Sequence, residues 1–211
     1  MKKLLKVLLA GFVGFSTLSL AHVIATESSN VPYEVDCGKR IDKNGWTATA
    51  DSVHATSGNH DGPGQNLVDN NYSSTWHSAY DSDNASDKTF PHNVVIKFSN
   101  DLKQVTFGAF SYTSRLESDA TNGLIKDYEL YISDSQTELA ADSEEWGDPI
   151  YTGTFTSKEI SKVVLDHAYT ARQIKLKALN AHANNNFAGG AEFDLYTTEA
   201  VRTPIDHTKI S

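Results

Sequence analysis

The chain has 211 residues and a formal net charge of −9, from 18 Lys and Arg against 27 Asp and Glu. With acids in excess and no basic cluster, nothing supplies the cations that neutralise nucleic-acid phosphates or gather on anionic lipid, so neither partner is expected. Cys37 is the one cysteine, which excludes a disulfide framework within the chain and leaves a buried or incidental thiol as the plain reading.

Lys2 and Lys3 precede an apolar run from Leu4 to Leu20, and Ser19-Leu20-Ala21 offers the small-x-small pattern of a cleaved export signal. Residues 1–21 are therefore expected as a signal peptide, with a cut after Ala25 as the alternative, and the mature chain as secreted or periplasmic with no membrane span. Removing Lys2, Lys3 and Lys6 leaves 15 basic against 27 acidic residues, a net charge of −12. A neutral ligand suits that balance. Residues 22–45, with Pro32 and Gly38 as breakers, carry no sustained period and are expected as an N-terminal extension; residues 198–211 are expected as a C-terminal tail.

Between them, apolar residues recur at every second position, the period of a half-buried strand. Strands are expected over Trp46 to Asp51, Asn93 to Phe98, Val105 to Tyr112, Asp127 to Ser133, Tyr151 to Phe155, Lys162 to Leu165, Arg172 to Leu179 and Glu192 to Tyr196. In the fourth, Tyr128, Leu130 and Ile132 share one face and Glu129 and Tyr131 the other. Only residues 134–148 have room for a helical turn. Short strands joined by Gly, Asn, Asp and Ser-rich connections, without helical crossovers, predict an all-β fold of antiparallel sheets stacked as a β-sandwich or jelly roll. Trp46 and Trp76 are expected in its core, and Trp146 at the surface.

Residues 54–92 are dense in His, Asn, Asp, Gly and aromatics with little strand pattern, and long connections in compact domains are usually functional. Within them Asp69, Asn71 and Ser74 lie inside six residues, so a tight turn can bring their oxygens round one cation, with Glu192 as a donor from elsewhere. Composition alone favours a solvated turn over a metal site. The acidic run Asp81, Asp83 and Asp87 does not make an EF-hand, because Ser86 holds the glycine position and His92 the bidentate acid position. Asn-x-Ser sequons occur at Asn71, which overlaps the proposed turn, and at Asn84.

The string LVDNNYSSTWHSAY, followed in order by FPHNVVIKF, FSYTSR, NGLIKDYELYIS and AEFDLY, resembles the discoidin or coagulation factor 5/8 type C family, in particular its family-32 carbohydrate-binding modules. The resemblance covers nearly the whole domain, residues 46–197. It implies a discoidin-like jelly roll with one structural calcium held by Asn66, Asp69, Asn71, Ser74, Ala191 and Glu192. Where the family has Asp-Gly-Asn this chain has Asn70, the non-glycine residue that best tolerates left-handed backbone.

The same resemblance implies a sugar site made by His77, Tyr80, Arg115, Asn122 and Phe187, with Tyr80 in place of a more frequent Trp. The chemistry agrees: a pyranose offers hydroxyls round its rim and a face of C–H bonds, so it needs directional donors and acceptors beside a flat apolar plate. Singly each residue has a plain reading: His77 a satisfied loop histidine, Arg115 a partner of Glu117, Asn122-Gly123 a turn. Their joint spacing carries the inference. An acidic residue that relatives often add after the first strand is missing; Val53, His54 and His60 stand in that region, with His60 the candidate replacement.

No carboxylate pair, activated nucleophile or open metal site is evident, so catalysis is not expected. The expected partners are glycans containing galactose or N-acetylgalactosamine, with galacturonate polymers second because of the negative charge. A discoidin-type adhesion module for a protein or membrane surface is the alternative.

Overall fold

The computed structural model describes residues 33–54, 61–80, 89–116, 121–197 and 201–204. The expected signal peptide, His60, Glu117 and the acidic run from Asp81 to Asp87 lie outside them. Alternating sequence becomes strand in all eight expected places: β2 (Thr47–Ala50), β5 (His92–Lys97), β6 (Val105–Thr113), β7 (Asp127–Ser133), β8 (Tyr151–Thr154), β9 (Ile160–Ala171), β10 (Gln173–Ala178) and β12 (Glu192–Tyr196). Five short strands add to these: β1 (Tyr33–Asp36), β3 (Asp61–Gly62), β4 (Thr75–His77), β11 (Gly189–Gly190) and β13 (Val201–Pro204).

A five-stranded sheet in the order β2-β5-β10-β7-β8 faces a three-stranded sheet in the order β12-β6-β9, and neighbouring strands within each run antiparallel. Inward side chains of both merge into one core. Phe110 stacks on Phe193 at 5.6 Å and meets Tyr128 edge-on at 6.1 Å, while Phe155 stacks between Tyr112 and Tyr128 at 4.1 and 3.7 Å. Each such ring, fully buried, stabilises by about 1.5–3 kcal/mol. Phe107 and Phe110, an odd number of positions apart, both reach the core because a register shift between Phe107 and Ala109 resets the alternation. Trp46 and Trp76 are core residues, as expected.

Three differences from the sequence reading have physical causes. β9 runs beyond Leu165 through Asp166 and His167, since an edge strand needs only one hydrogen-bonding neighbour and tolerates polar side chains. Trp146 is buried, not at the surface. The segment 134–148, which forms a single 3-10 turn at Glu144–Trp146, folds back over the outer face of the five-stranded sheet, where Trp146 packs with Val95, Tyr131 and Leu139. Gln173 fastens it: its Oε1 accepts from Leu139 N at 3.0 Å and its Nε2 donates to Thr137 O at 2.7 Å.

The expected extension and tail also take part in the fold. β1 pairs antiparallel with β13, from Tyr33↔Pro204 to Asp36↔Val201. Residues 39–41 run along β12, with Ile41 N donating to Leu195 O at 2.8 Å and Thr197 N to Lys39 O at 2.9 Å. The packed domain thus begins before residue 46.

Candidate functional site

Three connections meet at one end of β4. The first is β4 itself, whose His77 pairs with Gly189 and whose Trp76 pairs with Gly190 of β11. His77 is fully buried, and its Nδ1 lies 2.7 Å from the carbonyl oxygen of Ser78. A carbonyl only accepts, so Nδ1 carries the proton in this contact, while Nε2, on the Gly123 side of the ring, is itself buried.

The second connection follows β6. Arg115 donates from one guanidinium nitrogen to Asn122 Oδ1 at 2.9 Å. Gly123, at φ +71°, then passes so close to His77 that a Cβ there would lie 3.1 Å from Nε2 and 3.3 Å from Arg115 Cδ. A side chain at 123 would push these groups apart. The left-handed glycine brings His77, Arg115 and Asn122 to one place.

The third connection precedes β11 and carries Phe187. His92 Nε2 lies 2.8 Å from Asn186 O, Asn185 Oδ1 accepts from Phe187 N at 3.2 Å, and Ser78 is tied to Ala188 in both directions, at 2.8 and 3.0 Å. So anchored, the Phe187 ring stands 5.7 Å from His77 and 6.2 Å from Tyr80, and Tyr80 meets His77 edge-on at 4.9 Å. All five residues singled out for a sugar come together, with Tyr80, Arg115, Asn122 and Phe187 only partly buried.

A sixth residue joins them. His54 is buried and stacks on Tyr80, centroids 3.6 Å apart and 14° between planes, while its backbone N donates to His77 O at 2.8 Å. One face of Tyr80 is covered by this ring, so a sugar stacking on Tyr80 has only the opposite face. Its place after the first strand, in the region singled out together with Val53 and His60, was the sole signal for His54 in the sequence.

The Asp69 turn has the geometry its residue types call for. Asn70 adopts φ 62°; Asp69 Oδ1 accepts from Asn71 N at 2.8 Å and its Oδ2 accepts from Ser74 Oγ at 2.6 Å. Asn66, in the preceding 3-10 turn, is fixed by its Nδ2 donating to Thr75 O at 2.9 Å. Ala191 and Glu192 are buried where β12 begins, and Glu192 Oε1 finds no hydrogen-bond donor among the described residues. Burial pushes the Glu192 carboxyl up to about 7, opposed by Lys43 and reinforced by the charges of Asp194 and Asp69. A sealed, undonated carboxylate oxygen within the field of Asp69 fits a cation. Among the described residues no cluster of three His, Cys, Asp or Glu has metal-holding geometry, so such an ion would draw on carbonyl, amide and hydroxyl oxygens, the hard donor set that suits calcium.

Glu192 has a second neighbour that the sequence reading missed. Lys43, its side chain fully buried, donates to Glu192 Oε2 and lies 2.9 Å from Asp194 Oδ1. Glu192 and Asp194 sit two apart on one strand face while Phe193 and Leu195 enter the core, and that pattern of two acids on a buried strand was the available signal for a buried partner.

This is an antiparallel jelly-roll sandwich with a loop-borne polar and aromatic cluster at one rim. A family model for the F5/8 type C domain matches residues 47–193, and the chain belongs to that family. Among curated proteins it is similar to the A type blood N-acetyl-alpha-D-galactosamine deacetylase of Flavonifractor plautii, 34% identical over 108 residues that make up 50% of this chain and 13% of that protein. A sialidase of Micromonospora viridifaciens is 28% identical over 135 residues, 64% of this chain and 19% of that protein. The chain spans less than a quarter of the length of these relatives. Among solved structures, the Clostridium perfringens module CpGH89CBM32-5, in complex with GalNAc-beta-1,3-galactose, superposes with a TM-score of 0.60 at 22% identity, covering 75% of this chain and 100% of that one. The family 32 module of C. perfringens NanJ, in complex with galactose, gives 0.57 at 21% identity over 74% and 97%. At these identities the two structures share its fold. Among the described residues no helix is long and apolar enough to cross a membrane.

Proposed function

We propose that this domain is a non-catalytic, exported carbohydrate-binding module that recognises galacto-configured sugars through His77, Tyr80, Arg115, Asn122 and Phe187. The observation that carries the reading is the meeting of the His77 ring, a donor fork on Arg115 and the Asn122 amide beside two aromatic rings. Galactose differs from glucose by one axial hydroxyl, and directional groups beside a stacking plate are what distinguishes such a hydroxyl from its equatorial epimer. The galactose and GalNAc ligands named for the two C. perfringens modules, and the substrate named for the F. plautii deacetylase, support the same class of sugar. One monosaccharide held by a few hydrogen bonds and one ring corresponds to a Kd of about 1 mM, roughly −4 kcal/mol. Repeated ligands then raise the effective strength. Galacturonate polymers come second, because they meet a mature chain of net charge −12, 15 basic against 27 acidic residues.

The proposal includes one structural calcium held by Asp69, Asn71, Ser74 and Glu192 side chains with the Asn66 and Ala191 carbonyls. Its role is to pin the turn that leads into β4, and it takes no part in choosing the sugar.

A glycan array tests the sugar reading. Wild-type protein is expected on terminal galactose or N-acetylgalactosamine and Arg115→Ala on nothing; an array blank for both overturns the reading in favour of an adhesion module. Chelation tests the metal: Tm falls while the preferred sugar stays the same, and an unchanged Tm removes calcium from the account.

A further inference from the structure

Two buried carboxylates, Glu192 and Asp194, share one face of β12, and a single buried ammonium lies between them. Lys43 Nζ contacts Glu192 Oε2, stands 2.9 Å from Asp194 Oδ1 and lies 3.4 Å from Phe193 O. Its backbone is held on both sides. Ile41 N donates to Leu195 O at 2.8 Å, Trp46 N donates to Lys43 O at 3.0 Å, and Gly45 at φ +82° closes the turn. The lysine therefore enters from a fixed point. Asp194 has further partners in Arg40, at 3.5 Å, and the Tyr72 hydroxyl, which donates at 3.3 Å. Glu192 has none beyond Lys43 among the described residues, and its buried Oε1 accepts no hydrogen bond from them.

We propose that Lys43 is a resident cation that shares Glu192 with the calcium ion, keeping the carboxylate in place when the ion leaves and weakening the ion's hold when it is present. The inference rests on the calcium reading above. Its first half follows from charge: without Lys43, two acids would be buried side by side with Arg40, itself half-exposed, as the one counter-charge among the described residues. The second half follows from distance. A carboxylate that already neutralises an ammonium through one oxygen presents less negative charge through the other, and the ammonium repels a divalent ion one carboxyl group away. Lys43 is a positioning residue for the metal site and does not itself ligate.

The test uses the purified chain, wild type and Lys43→Met, in two measurements: calorimetric titration with calcium chloride, and thermal unfolding in chelator and in excess calcium. The expected results are a calcium Kd at least tenfold lower in the variant, and a Tm loss in chelator that calcium largely repairs. Equal calcium affinity in both proteins, or the same Tm loss with and without calcium, overturns the proposal while leaving the calcium reading intact. Calcium heat in the variant alone supports it, whereas no heat in either protein removes the calcium reading and the proposal together. Should Lys43→Met fail to fold under both conditions, Lys43→Gln takes its place, and the wild type in chelator decides the other half: loss of a cooperative unfolding transition there overturns it.

Discussion

The side chains round His77 and those round Glu192 differ in residue type and stand in opposite surroundings. At the first site Tyr80, Arg115, Asn122 and Phe187 are only partly buried, so solvent or a ligand can reach the groups they carry. At the second, the side chains of Lys43, Glu192 and Asp194 are sealed, so charge must be answered by charge inside the protein. Burial sets what each cluster can do: a partly exposed hydrogen bond exchanges with water at little cost, while an uncompensated buried ion costs several kcal/mol.

Removing the acid at the sealed cluster has the largest expected effect. Glu192→Ala leaves Lys43 buried with only Asp194 to balance it and is expected to lower the unfolding free energy by about 3–5 kcal/mol, read from urea denaturation. The molecules that remain folded keep their galactoside affinity. Loss of affinity with stability unchanged would break the division between the two sites. A smaller effect is expected at the open cluster, where His54 backs Tyr80. His54→Ala removes a stacked ring worth about 0.5–1.5 kcal/mol and is expected to weaken galactoside binding by about three- to tenfold, whereas His54→Phe restores it. Equal weakening by both variants would assign His54 a polar role in place of a stacking one.

Much of this was legible before the coordinates. β7 and β12 occupy Asp127–Ser133 and Glu192–Tyr196, the ranges their alternation implies, because one side of each faces the core and a slip of one residue would reverse every side chain. That the five rim residues converge was legible through the family resemblance of the ordered motifs that carry them, since no one of them stands out alone. What escaped was long-range. Trp146 sits among polar residues in sequence and is buried because Gln173, far along the chain, fastens its segment to the sheet. Lys43 lies in a stretch without period, and the acids that explain it are 149 and 151 positions away. His54 is defined by a ring 26 positions on, across residues that carry no strand pattern. In each case a local polar residue acquires its role from a partner that only the closed sandwich brings near.

The most direct test of the sugar site is a two-dimensional amide NMR titration of the wild-type protein with galactose, run beside the same titration with glucose. Galactose is expected to shift the amides of His77, Tyr80, Asn122, Gly123 and Phe187 along saturating curves at about millimolar concentration, with glucose far weaker. Identical responses to the two sugars, or galactose shifts confined to residues away from these connections, would contradict the account.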